Sequence, residues 1–269
     1  STRQSGLYGA VRLHPVDALS LIVGARVSDY KQEQDRSFFD PKTARITSRI
    51  EESNVITPYA GVVYDLDKTY SLFGSYTSIF APQSNRDVNR NFLAPVRGKG
   101  IEAGVKAEYL DGKVNASASL FQIRQSNVAS SVGEVNGEEA YRAIDGVTSR
   151  GVEMEVTGEV MQDVKLSAGY TYTHVRDADG KDVFSTMLQT TQPAHLVRVQ
   201  GSWRLPASLD KLTVGGGINW QSSYYGNIWN PAIEDYSRIK QGGYALVNLM
   251  ARYEISKNVT ASLNVNNLL

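Results

Sequence analysis

Ile101-Glu-Ala-Gly-Val-Lys-Ala-Glu-Tyr109, followed by Leu110-Asp-Gly-Lys113, is the stretch whose reading decides the fold. Ile101, Ala103, Val105, Ala107 and Tyr109 alternate with Glu102, Gly104, Lys106 and Glu108. A period of two sends these sets to opposite faces of a strand, one apolar and one charged. The same alternation recurs in both directions. Leu19, Leu21, Val23, Ala25 and Val27 interleave with Ser20, Ile22, Gly24, Arg26 and Ser28. Val197, Val199, Gly201 and Trp203 interleave with Arg198, Gln200, Ser202 and Arg204, and Ala245, Val247, Leu249, Ala251 and Tyr253 with Leu246, Asn248, Met250 and Arg252. No segment carries a 3.6-residue period, so the chain reads as all-β.

The connections carry further information. Short polar turns fall at Pro15–Ala18, Asp65–Lys68, Leu110–Lys113, Met161–Val164, Ala207–Asp210 and Ile255–Asn258, about every 45 to 50 residues. Longer polar loops lie between them, near 31–54, 81–98, 129–146, 177–194 and 225–242. Six turns alternating with five loops predict twelve antiparallel strands. Strict alternation of short and long connections is the pattern of an outer-membrane barrel, whose strands need only about 10 alternating residues. Tyr8, Tyr30, Tyr59, Tyr70, Tyr76, Tyr109, Tyr170, Tyr172, Trp203, Trp220 and Tyr253 fall mostly near predicted strand ends, where amphipathic rings suit a lipid–water interface. A soluble β-sandwich is the rival architecture and would pack the apolar face on a second sheet.

Composition removes several function classes. Lys plus Arg and Asp plus Glu are equal at 28 each, which leaves no electrostatic footprint for nucleic acid. Cysteine is absent, which excludes disulfide frameworks, thiolate metal sites and Cys nucleophiles. The three histidines, His14, His174 and His195, are scattered, so no metal site and no cofactor are expected. Ser167 and Ser202 are the serines in range of a histidine, but no spacing marks a nucleophile, and no catalytic residue is assigned. Gly215-Gly-Gly217 precedes a strand-like run and not a helix, so it reads as relief of crowding in a wall and not as a phosphate loop. Ser1–Gly6 shows no targeting segment and Asn264–Leu269 stops inside an alternating run, so both ends read as cuts.

Several segments resemble the TonB-dependent siderophore receptor family, in its hydroxamate and pyoverdine-type branch. They are Thr57-Pro-Tyr-Ala-Gly-Val-Val-Tyr-Asp-Leu66, Tyr70-Ser-Leu-Phe-Gly-Ser-Tyr-Thr-Ser-Ile-Phe-Ala-Pro-Gln83 and Gly98-Lys-Gly-Ile-Glu-Ala-Gly-Val-Lys106. The same holds for Gly112–Phe121, Ser149–Glu155 and Leu166–Tyr172. Leu263-Asn-Val-Asn-Asn-Leu-Leu269 is similar to a near-C-terminal strand of the family, although the last position there is commonly Phe. The resemblance implies that residues 1–269 are part of a 22-strand barrel domain, with its plug domain and final strand lying outside this chain. It implies an outer-membrane receptor of a Gram-negative bacterium, not an enzyme, that takes up a hydroxamate-bearing ferric siderophore. Energy would come from TonB acting through the absent plug, and the other partner is outer-membrane lipid. The alternative is a passive channel or an outer-membrane hydrolase built on a complete small barrel.

Candidate ligand contacts lie in the long loops. Tyr224, Tyr225 and Trp229 cluster in Gln221–Pro231, and rigid aromatics offer contact area at small entropic cost. Tyr141 and Arg142 share the 129–146 loop, where a guanidinium could pair with an anionic chelate or hydrogen-bond hydroxamate oxygens. Phe92 belongs to the 81–98 loop, and Phe38 and Phe39 to the first. Against each stands a plainer role as girdle, loop staple or solvated charge. Glu102, Lys106, Glu108, Glu153, Glu155, Arg198 and Arg204 are expected on the polar face, forming ion pairs that hydration keeps weak.

Overall fold

The computed structural model describes residues 1–36, 46–135, 137–183, 191–230, 232–233 and 235–268, with backbone alone at 34–36, 46–48, 229, 235 and 236. Phe38 and Phe39 lie outside the described residues. Twelve strands join in one sheet: β1 (Thr2–Val16), β2 (Leu19–Arg36), β3 (Ile46–Asp65), β4 (Tyr70–Ala81), β5 (Val96–Tyr109), β6 (Val114–Ser126), β9 (Val147–Met161), β10 (Val164–Arg176), β11 (His195–Arg204), β12 (Leu212–Gln221), β15 (Tyr244–Ser256) and β16 (Val259–Val265), in that order. The predicted number and alternation hold. The long loops were expected to be irregular, yet two of them are hairpins: β7 (Val128–Val135) pairs with β8 (Glu138–Ile144), and β13 (Tyr224–Asn230) with β14 (Asp235–Gln241). Both stayed hidden because their faces mix polar and apolar residues, as a surface hairpin's faces do.

The chain forms two compact units, residues 1–63, 74–101 and 123–148 in one, and 64–73, 102–122 and 149–269 in the other. In the first, β1 pairs with β2 so that Leu7 faces Val27, Gly9 faces Ala25, Val11 faces Val23 and Leu13 faces Leu21. The opposite row sets Gln4 against Tyr30 and Tyr8 against Arg26. Leu7 is 79% exposed and Val11 59%. The small buried set of this unit, Ile50, Val55, Ala129, Ala140 and Val147, gathers at β3, the β7–β8 hairpin and the start of β9.

In the second unit the register sorts the faces cleanly. Ala168, Val199, Ile218 and Val247 lie side by side across β10, β11, β12 and β15. So do Val164, Trp203, Val214, Ala251 and Leu263 across β10, β11, β12, β15 and β16. One residue along, Ser167, Gln200, Gly217 and Asn248 form a row on the other face. Leu249 is 48% exposed and Ile218 47%, so the apolar row has no protein cover among the described residues. Rings also meet at strand ends of this unit. Tyr70 and Tyr109 meet edge to face at 6.0 Å with hydroxyls 3.0 Å apart beside the short turns, while Tyr172 lies 4.9 Å from the His195 ring at the loop ends of β10 and β11. The glycine triplet answers to close backbone approach. A Cβ on Gly216 would sit 2.6 Å from the Asn248 carbonyl oxygen, and one on Gly215 2.6 Å from that of Gly201.

The reversals are built from residues that tolerate positive φ. Leu110 and Asp111 have φ of 54° and 53°, the type I′ arrangement that matches strand twist, and Gly112 follows at 83°. Asp67 closes the β3–β4 turn by accepting the Thr69 and Tyr70 amides at 2.7 and 2.8 Å.

Candidate functional site

Each unit carries one loop assembly, and both use the same local device. In the first unit Asp87 opens a tight reversal: its Oδ1 accepts the Asn89 and Asn91 amides at 2.8 Å, and its own N–H donates to the Asn91 carbonyl at 2.9 Å. The turn closes with an Arg86–Phe92 bridge, and the Arg86 guanidinium lies 3.7 Å over the Phe92 ring. In the second unit Asp177 repeats the geometry, accepting the Asp179 and Lys181 amides at 3.0 and 2.8 Å and donating to the Lys181 carbonyl at 3.0 Å. An Arg176–Asp182 bridge and ion pair close it. A short carboxylate competing for neighbouring amides is what makes an Asp-initiated turn.

Each turn then grips the hairpin that follows it. Tyr141 N–H of β8 donates to the Arg86 carbonyl at 2.8 Å. Arg90 reaches the carbonyls of Val135, Glu138 and Glu139 and the Glu138 carboxylate. In the second unit Thr191 N–H donates to the Tyr225 carbonyl at 2.8 Å, and Tyr225 N–H returns to the Thr191 hydroxyl at 3.1 Å. The Tyr225 hydroxyl donates to Asp182, and the Arg238 guanidinium lies 4.1 Å over its ring.

The structure therefore brings Phe92 and Tyr141 together through Arg86, and sets Arg142 exposed on the strand beside them, opposite Ser130. Tyr224 pairs with Gln241 and Tyr225 with Lys240 across the β13–β14 hairpin. Trp229 pairs through its backbone with Tyr236, and its side chain lies outside what is described. Tyr141 donates to the Glu139 carboxylate at 2.6 Å; burial first, then that bond and the carboxylate's charge, push its phenol up to about 12. Arg90, Arg86 and Asp182 were missed by sequence reading. The spacing Arg-Asp-x-Asn/Asp shared by 86–89 and 176–179 is a signal for Arg86, though one common in loops, and neither Arg90 nor Asp182 falls within it.

Other expectations find their places. Asp177-Ala-Asp-Gly180 is an Asp-x-Asp-Gly run, the spacing of a cation loop. Its Asp177 caps amides and Asp182 pairs with Arg176 and Tyr225, and no group of three potential ligands assembles among the described residues. Ser167 and Ser202 sit on the polar rows while His195 shares the apolar row with Tyr172, so the pleat holds them on opposite faces. His195 Nδ1 instead meets the Tyr170 hydroxyl at 2.9 Å. On the polar face Glu153, Glu155, Arg198, Gln200, Asn219 and Asn248 line a recess of about 720 Å³. Arg204 and Glu254 are 3.7 Å apart and roughly half exposed, and Lys106 lies 5.0 Å over Phe73.

Residues 1–268 match the family model described as TonB dependent receptor-like, beta-barrel. The chain is 40% identical to the ferric-pyoverdine 358 receptor of Pseudomonas putida over 277 residues, covering 100% of this chain and 32% of that protein. The crystal structure of the ferripyoverdine receptor of Pseudomonas aeruginosa bound to ferripyoverdine superposes with a TM-score of 0.80 at 36% identity, covering 99% of this chain and 34% of that one. The alcaligin outer-membrane receptor FauA of Bordetella pertussis superposes at 0.73 with 39% identity, covering 99% and 43%. The chain spans about a third of the length of the curated relatives it matches.

Proposed function

The chain belongs to the TonB-dependent receptor β-barrel family, and from that premise we propose that the protein containing it is an outer-membrane receptor and transporter for a ferric siderophore of the pyoverdine type. One observation carries the reading: the match to a ferric-pyoverdine receptor, at 40% identity overall, covers the whole chain. The names of the relatives move the expectation from hydroxamate chelates in general to pyoverdines.

The geometry supports a simple division of labour. The apolar rows face lipid, and the polar rows face the interior, where the plug of the complete receptor would sit. Tyr141 and Arg142 on the first clasped hairpin are candidate contacts for a chelate, with Phe92 holding that assembly in shape, and Tyr224, Tyr225 and Trp229 are the candidates that the second hairpin contributes. Iron is cargo and stays inside its chelate, so the protein supplies aromatic contact and hydrogen bonds, and no catalysis. Hairpins already tied to the neighbouring loop lose little entropy when a ligand arrives, which raises affinity for a given contact area. TonB would supply the energy through the plug. A passive channel or hydrolase draws no support from relatives named as receptors.

Uptake of radiolabelled iron by a Gram-negative host lacking its own ferric-siderophore receptors tests the proposal. Cells making the full-length protein should accumulate iron from ferric pyoverdine saturably, and lose that uptake when TonB is deleted or the proton gradient collapsed. Uptake that is linear in concentration and indifferent to energy would sink it.

A further inference from the structure

Arg90 is placed as no loop residue of the candidate list is. It stands in the left-handed region, with φ of 67°, which residues other than glycine rarely adopt. The surrounding bonds hold it there. Its N–H donates to the Asp87 carbonyl at 3.0 Å, and its own carbonyl accepts from the Arg86 guanidinium at 2.6 Å. The effect is to aim the side chain across the loop at the turn end of the β7–β8 hairpin. There Nη2 donates to the Val135 carbonyl and, at 3.3 Å, to that of Glu138, while Nη1 donates to the Glu139 carbonyl at 3.4 Å and lies 3.2 Å from the Glu138 carboxylate.

Each carbonyl beside a hairpin's turn has two lone pairs, so a donor from another segment can bind it in addition to the ladder. A guanidinium has five donors in a rigid planar fork and can serve several at once; an ammonium presents its donors from one point. Backbone strain at a loop position persists only when its surroundings over-determine it, and such positions concentrate where geometry matters for binding.

We propose that Arg90 is the positioning residue that clasps the β7–β8 hairpin and thereby sets Tyr141 and Arg142 for the ferric chelate. This rests on the receptor reading above and assigns Arg90 no contact with the ligand. The carbonyl capture carries the effect, and the ion pair with the half-exposed Glu138 adds little.

The full-length receptor in detergent answers this with two readouts taken on Arg90→Ala, Arg90→Lys and Glu138→Gln. One is the dissociation constant for ferric pyoverdine, followed by fluorescence. The other is the rate at which a Glu-specific protease cuts after Glu134 and Glu139 without siderophore. Arg90→Ala should weaken binding about tenfold or more, as loss of hydrogen bonds from a charged donor does, and speed cleavage by a similar factor. Arg90→Lys should fall between, and Glu138→Gln should stay within about twofold of wild type. Wild-type binding and wild-type cleavage in Arg90→Ala overturn the clasp, as does a Glu138→Gln effect equal to that of Arg90→Ala. If the wild-type receptor itself ignores ferric pyoverdine, the receptor reading fails, and the cleavage rates still decide whether Arg90 holds the hairpin.

Discussion

At the scale of single residues, Tyr141 shows how an ordinary side chain acquires an unusual property from its neighbours. Burial and the Glu139 carboxylate both disfavour the phenolate, so its folded value stands near 12 against an ordinary 10. A raised value means that the folded state favours the neutral, donating form. That stabilisation is complete below pH 10 and disappears as pH climbs from 10 to about 12, through the folded value. The difference between tyrosinate absorbance titrations of the wild-type receptor and its Tyr141→Phe variant should therefore show a step near 12, and Glu139→Gln should lower it. A step near the ordinary value would mean that the hydrogen bond does not persist in solution. Tyr141, Arg142, Tyr224 and Tyr225 were legible as candidates because aromatic and guanidinium groups in long loops invite that reading. Arg90 and Asp182 were not, since their roles depend on backbone carbonyls and on a tyrosine 43 residues away.

At the scale of elements, the two rows of each strand face different media, and a single step along the chain exchanges them. Val199 lies between Ala168 and Ile218 on the apolar row, and Gln200 between Ser167 and Gly217 on the polar row. Arginine at an apolar mid-strand position of a lipid-facing row costs about 2–4 kcal/mol, whereas interior positions tolerate charge. Val199→Arg should thus lower the urea midpoint of the full-length receptor refolded into lipid vesicles, while Gln200→Arg leaves it near wild type. Equal effects would show that the faces had been assigned wrongly. The twelve main strands were readable because alternation is strict where each face meets one medium. The β7–β8 and β13–β14 hairpins were not, because water and neighbouring loops touch both of their faces and no period survives.

For the molecule as a whole, no large side chain is fully buried among the described residues, which is how a sheet looks when neither face rests on a second layer. Every residue of β1 and β16, the first and last strands of the sheet, is exposed. Each unpaired backbone group in hydrocarbon costs on the order of several kcal/mol, so residues 1–269 produced alone should aggregate without detergent. They should also fail to show the heat-modifiable gel mobility expected of the full-length receptor. A monodisperse, detergent-free monomer would instead favour the sandwich that the sequence left as a rival. By itself the sequence determined the strand number, the two faces, the turns and the family, because these follow from local periodicity, turn chemistry and motifs carried in contiguous residues. Only the tertiary structure decided which loops are hairpins, what Asp177 and Asp182 bind, and that Arg90 clasps its neighbour. Those outcomes depend on backbone groups far apart in the chain, and a backbone carbonyl has no letter in the sequence to announce it.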